Sequence, residues 1–180
     1  MTPTDPRTAT VGTRIALFAF ALCGVIWLGG LNARMVIGGD LLEPGTLRFD
    51  PLLSPSAERE LFRLLSVTAL ITSAAYVCVL ISAALFLWRS PWKLRQHGWM
   101  MISAILLFGF MPIEVYAMTI DLRMVYLEFF TTASNEDFRV LFLERVGALG
   151  GAPFVAVLSY YTMIALAVFQ PLRRRPGAEG

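Results

Sequence analysis

Residues 64–88 read LLSVTALITSAAYVCVLISAALFLW, 25 residues without one charged side chain. A helix of about 20 mostly apolar residues crosses the hydrocarbon core of a bilayer. Three other stretches share the pattern. One runs about Ile15 to Ile37 and begins IALFAFALCGVIWLGGL. One runs about Gly98 to Ile120, GWMMISAILLFGFMPIEVYAMTI. The last runs about Gly147 to Phe169, GALGGAPFVAVLSYYTMIALAVF. Barrel strands need about 10 residues of alternating polarity, which none of these supplies. The expected fold is all-α: a four-helix transmembrane bundle with helical extracytoplasmic extensions. It forms one membrane domain over 1–180, with spans about 15–37, 64–88, 98–120 and 147–169 and outer connections about 38–63 and 121–146.

Composition agrees. The chain is 57% hydrophobic and 16% charged, with a mean hydropathy of +0.65. Soluble domains are roughly 45–50% apolar and about 25% charged. Disorder, a collagen-like fibre, a coiled coil and a disulfide scaffold are excluded. A net charge of +2 is too small to suggest nucleic-acid binding. Cys23 and Cys78 lie in apolar stretches and read as buried thiols, not as a disulfide. His97 is the single histidine, which excludes a bis-histidine haem or a His-rich metal site within this chain. The first span follows Arg7 and Arg14 as a signal peptide would, but no small-residue cleavage site follows, so it is expected to stay uncleaved.

The few charges are sorted. Eight basic residues (Arg7, Arg14, Arg89, Lys93, Arg95, Arg173, Arg174, Arg175) share one side with Asp5 and Glu179, a balance of +6. The other side holds seven arginines against eleven acids, a balance of −4. The positive-inside rule then puts both termini in the cytoplasm. Trp88, Trp92 and Trp99 surround the short inner connection, as an interfacial belt does. Fourteen of fifteen basic residues are arginine, which with the many Ala and Gly suggests a GC-rich bacterial source and a bacterial plasma membrane. The terminal MTPTDPRT and RRRPGAEG are expected to be mobile.

The outer connections carry local signals. Glu43-Pro44-Gly45-Thr46 reads as a turn, flanked by Leu41, Leu42, Leu47 and Phe49 for a small hairpin or an apolar lid. Ser54-Pro55 reads as an N-cap followed by Pro at the first helical position, so one helix is expected from about Pro55 to Trp88. Leu122, Val125, Tyr126, Phe129 and Phe130 form an amphipathic stripe that either extends the third span outward or lies on the outer leaflet. Ser134 with Asp137 resembles a capping box before a short amphipathic helix through Phe138, Leu141, Phe142 and Arg145. Glu58-Arg59-Glu60 and Asn135-Glu136-Asp137 read as solvated helix starts.

Glu114 fits neither side. It lies inside the third span, two residues after Pro112. An ionised carboxylate there is costly unless paired or wet. It is a proton or cation site, a ligand contact, or one member of a structural ion pair. Candidate partners make an intramembrane polar cluster of Asn32, Arg34, Arg63, Glu114, Asp121 and Arg145, against the plainer reading in which each charge marks a membrane boundary. Tyr76, Tyr116, Tyr160 and Tyr161 fall within or near the bilayer, and Tyr76 is a candidate for a bond across helices. Gly147, Gly151, Val155 and Ser159, then Ala152, Ala156 and Ser159, and Ala69, Ser73 and Val77 are small stripes suited to helix contacts in lipid.

No catalytic or nucleotide-binding motif is present in the sequence: no C-x-x-C, H-E-x-x-H, G-x-S-x-G or P-loop. No catalytic residue, cofactor or metal ligand is therefore assigned. The expected role is a non-enzymatic accessory or structural subunit of a membrane assembly, in contact with the lipid bilayer and with a membrane protein partner or further copies of itself. A small oligomeric transporter or ion- or proton-conducting protein using Glu114 is the alternative. A quinone-binding or other membrane enzyme is a weaker third.

Overall fold

The computed structural model describes residues 10–90, 94, 97–147 and 152–171. Arg7, Trp92, Lys93, Arg95, Gly151 and Arg173 to Arg175 lie outside the described residues, as do the two terminal tails. The chain is all-helical: α1 (Val11–Gly39), α2 (Pro55–Arg89), α3 (Gly98–Phe130), α4 (Asn135–Gly147) and α5 (Ala152–Phe169). Among the described residues three helices, α1, α2 and α3, are long and apolar enough to cross a membrane. Of the stretch expected as the fourth span, residues 148–151 lie outside the described residues. Gly147 is the last residue of α4, and α5 is an apolar helix of 18 residues.

Local sequence explains the helix starts. The Thr10 side chain accepts from the Thr13 amide at 3.3 Å and caps α1. The Ser54 hydroxyl accepts from the Ala57 amide at 3.3 Å, and Pro55 takes the first helical position of α2. Asp137 accepts from both the Ser134 amide and the Ser134 hydroxyl at 2.8 Å, completing the capping box of α4. Those two bonds hold the Asp137 carboxyl below the usual Asp range, the hydroxyl contributing most. In the α1–α2 connection, Gly45 has φ 76° and Glu43 donates to the Arg48 carbonyl at 2.9 Å. This closes a hairpin with a single bridge between Leu42 and Phe49. Leu41 is buried beneath it and Leu47 is exposed.

Two apolar cores are stacked along the molecule. The first, in the bundle, joins Trp27 and Leu31 of α1, Tyr76 and Val79 of α2, Leu107 of α3, and Ala156 and Tyr160 of α5. The second joins Leu41, Phe62, Leu65, Met124, Phe138 and Phe142 in a cap built on the projecting ends of α2 and α3. Phe62 stacks on Phe138 at 5.3 Å, with Phe142 at 6.3 Å and Phe49 at 6.4 Å. α3 thus continues away from the bundle as one helix, but of the expected stripe Val125 alone is buried, beside Met124, while Leu122, Tyr126, Phe129 and Phe130 are exposed.

The skin of the bundle is apolar. Phe18, Val25 and Val168 are 69%, 73% and 69% exposed. A surface of this kind marks contact with lipid or protein, and with the three long helices it is that of a membrane protein. At the end far from the cap, the Thr13 hydroxyl donates to the Arg89 carbonyl. From Thr13 to Arg34, the helical rise is about 32 Å, close to the thickness of a hydrocarbon core.

Small residues set the α1–α2 contact. A Cβ on Gly30 would lie 2.3 Å from Thr72 Cγ2. On α2 the buried stripe is Glu58, Phe62, Leu65, Ala69, Thr72 and Tyr76, whereas Val77 is exposed. On α5, Ala156 and Tyr160 are buried and Val155 is exposed, as is Gly147 at the end of α4. Cys23 and Cys78 are free thiols, the first half-buried and the second exposed. Gly30→Ala should lower stability by about 1–3 kcal/mol through overpacking. Adding Thr72→Ser removes the obstructing methyl while keeping the hydroxyl, so the double variant should recover most of the loss in thermal or denaturant unfolding.

Candidate functional site

The site lies between the two cores, where α1, α2, α3 and α4 meet. Asp121 projects from the buried face of α3, two helical turns beyond Glu114 on the same face. Arg34 of α1 grips it with both terminal nitrogens: Nη1 donates to Oδ2 at 2.7 Å and Nη2 to Oδ1 at 2.5 Å. Arg145 of α4 approaches from the other side, its Nε lying 3.3 Å from Oδ1 and 3.4 Å from Oδ2. The side chains are 9%, 3% and 16% exposed for Arg34, Asp121 and Arg145. Arg34 Nη1 also reaches the Thr72 hydroxyl of α2 at 3.5 Å. A planar guanidinium paired fork-to-fork with a carboxylate is the strongest and most directional of protein ion pairs.

Glu114 is buried on the bundle side of this triad, about 10 Å from Asp121 by helical rise. No hydrogen bond or ion pair joins it to another described residue. Arg145, Asp121 and Arg34 all act on it electrostatically. Two arginines and two acids therefore share the region and balance formally to zero. Pro112, two residues before Glu114, faces outward and has no amide hydrogen, so the Phe108 carbonyl lacks its helical partner.

The other two members of the expected cluster stand apart. Asn32 donates to the Leu28 carbonyl at 2.7 Å and to the Tyr161 hydroxyl at 2.6 Å, tying α1 to α5. Arg63 is 60% exposed and, among the described residues, pairs with Glu60 at 3.5 Å, one turn back on α2. It lies off the buried stripe of α2, which passes through the adjacent Phe62. Tyr76 is buried, but its hydroxyl completes no hydrogen bond among the described residues.

Sequence reading passed over a second ion-paired site, in the cap. Glu58 is 3% exposed, not solvated. It accepts from Arg139 Nε at 2.5 Å and Nη2 at 2.9 Å, and from Asn135 Nδ2 at 3.1 Å. The neighbouring Arg59 pairs with Glu128 at 2.9 Å and lies over the Phe138 ring at 4.5 Å. The signal was available in one respect: the buried α2 stripe, followed back from Tyr76, ends on Glu58. Nothing in the spacing names Arg139 as its partner.

The chemistry of the triad is that of a clamp. Asp121 has its lone pairs occupied by two guanidinium groups and is not free to act as a base. Among the described residues, no three His, Cys, Asp or Glu side chains gather as metal ligands. A shallow groove of about 650 Å³ runs between α3 and α4, with Leu122, Tyr126, Val140 and Leu141 among its mainly apolar walls and Arg123 at its edge. Removing the acid of a buried pair strands its partners and costs about 3–5 kcal/mol. Asp121→Asn should therefore destabilise the protein by about that amount, read from its unfolding midpoint in detergent.

No family model, no curated protein and no solved structure matches this chain.

Proposed function

We propose that the protein is a non-enzymatic accessory or structural subunit of a membrane assembly. In this reading α5 is the fourth span, both termini are cytoplasmic, and the cap stands outside a bacterial plasma membrane. The charge sorting of +6 against −4 supports that orientation. The observation that carries the functional reading is the Arg34–Asp121–Arg145 clamp. It fastens three helices at the base of the cap, and its charged groups are engaged with one another instead of facing a substrate cavity. The cap it holds presents Tyr126, Phe129 and Phe130, which are 59%, 50% and 74% exposed, with Tyr126 and Phe130 stacked at 5.7 Å. Aromatic groups of this kind anchor protein interfaces.

One observation favours a second reading, a small oligomeric transporter or proton-conducting protein. Glu114 is a buried carboxylate with no ion-pair partner within contact distance among the described residues. Isolation from native membranes in mild detergent tests the first reading. The protein should migrate as an oligomer or with a stoichiometric partner, and a strictly monomeric particle with nothing bound contradicts it. Glu114→Gln separates the two. A loss of stability and expression supports the structural role, whereas a folded variant that loses ion or proton flux in vesicles supports transport.

A further inference from the structure

We propose that the groove between α3 and α4, with the aromatic ridge beside it, forms a two-fold interface with a second copy of this chain. The proposal deepens the structural role given above and rests on the cap standing outside the membrane. Leu122, Tyr126 and Phe129 recur at four and three residues and so share one face of α3. All three are exposed, as are Phe130 beside them and Val140 and Leu143 of α4. Leu122, Tyr126 and Val140 also wall the groove. From Asp121 to Phe130 the helix rises about 13 Å. The run from Thr13 to Arg34 already matches a hydrocarbon core of about 30 Å, and Arg34 is paired with Asp121. The ridge therefore stands past the acyl chains, where lipid does not cover it. An apolar patch in that position marks a protein interface.

Charge identifies the occupant. Arg123 lines the groove, and Glu144 of α4 stands 3.8 Å from it. Their side chains are 64% and 38% exposed. An exposed pair this long contributes little to its own fold, and each member can take a second partner. Two copies inserted with the same orientation are related by a two-fold axis along the membrane normal, with the two α3 helices parallel. Such an axis keeps every residue at its own depth and makes contacts reciprocal. Arg123 and Glu144 share one depth and carry opposite charge. Arg123 therefore meets the partner subunit's Glu144, and Glu144 meets the partner subunit's Arg123, closing a ring of four alternating charges. Shape agrees with charge. Ridge and groove adjoin on one face, so each copy seats its α3 ridge in the groove of the other. An unrelated partner would call for only the ridge or the groove, and for one sign of charge.

Charge reversal tests the surface, with particle mass read by light scattering in mild detergent. The unaltered chain should be a dimer. Arg123→Glu and Glu144→Arg should each be monomeric, because either homodimer would gather four like charges. Mixed in equal amounts, the two variants should form a one-to-one heterodimer, since the acids of one then face the bases of the other. A pair acting only within its own chain gives no such recovery on mixing. Both side chains are exposed, so the variants should keep the parent's unfolding midpoint. Tyr126→Ser gives a reading independent of charge and should weaken the dimer at least about tenfold. A monomeric parent overturns the proposal, as does a dimer that survives the charge reversals or a mixture that stays monomeric. A monomer carrying a different protein overturns it and leaves the accessory role standing, whereas a monomer with nothing bound contradicts both.

Discussion

Asp121 accepts from two arginines on two other helices, and the remaining architecture is arranged around that fact. A carboxylate and a guanidinium taken out of water lose solvation worth several kcal/mol each, which only close geometry and mutual attraction can offset. The forked contact with Arg34 provides that geometry. Arg145 then closes the open side. Because these residues sit on α1, α3 and α4, the pairing sets the rotation of each helix about its own axis. Thr72 adds α2 to the same layer.

The two cores follow from this layer. On one side, Trp27, Tyr76 and Tyr160 fill a bundle whose skin is apolar. On the other, Phe62, Phe138 and Phe142 fill a cap whose margin carries the Glu58–Arg139 and Arg59–Glu128 pairs. Apolar burial drives each core, but burial alone is indifferent to how one core is registered on the other. The polar layer supplies the register. A one-turn slip of α3 against α1 would leave Arg34 facing Ala117 or Val125 and strand it without a counter-charge. The arrangement therefore excludes alternatives more than it adds net stability, a role buried polar groups fill in several helical systems.

Much of the fold was legible because it rests on local rules. The N-cap and Pro at Ser54-Pro55, the capping box at Ser134 and Asp137, and the turn at Pro44-Gly45 all depend on residues within a few positions of one another. The projection of α3 beyond Ile120 was readable as a periodic stripe, though its rival, a helix lying flat, has the same periodicity. The site was legible only in part. Glu114, Asp121, Arg34 and Arg145 were identified as polar residues out of place, but Arg34 and Asp121 are 87 positions apart and spacing cannot choose between partners at that range. Arg63 was grouped with them on its position along the helix, without regard to the face it lies on. It lies about 100° around α2 from Phe62, and that rotation turns it to solvent. Glu58 failed the opposite way: its position at a helix start suggested exposure, while the stripe below it carries it into the cap.

Glu114 remains the residue on which function divides, because it shares the clamp's charge balance without sharing its contacts. The clamp itself is the more basic claim, and a double-mutant cycle on Arg34→Ala and Asp121→Ala measures it most directly. If the pair sets the helix register, the coupling energy from reversible unfolding in detergent should be about 2 kcal/mol or more, in the range of strongly coupled contacts. A coupling below about 0.5 kcal/mol, as for independent sites, would contradict the account and reduce the triad to separate charges at a membrane boundary.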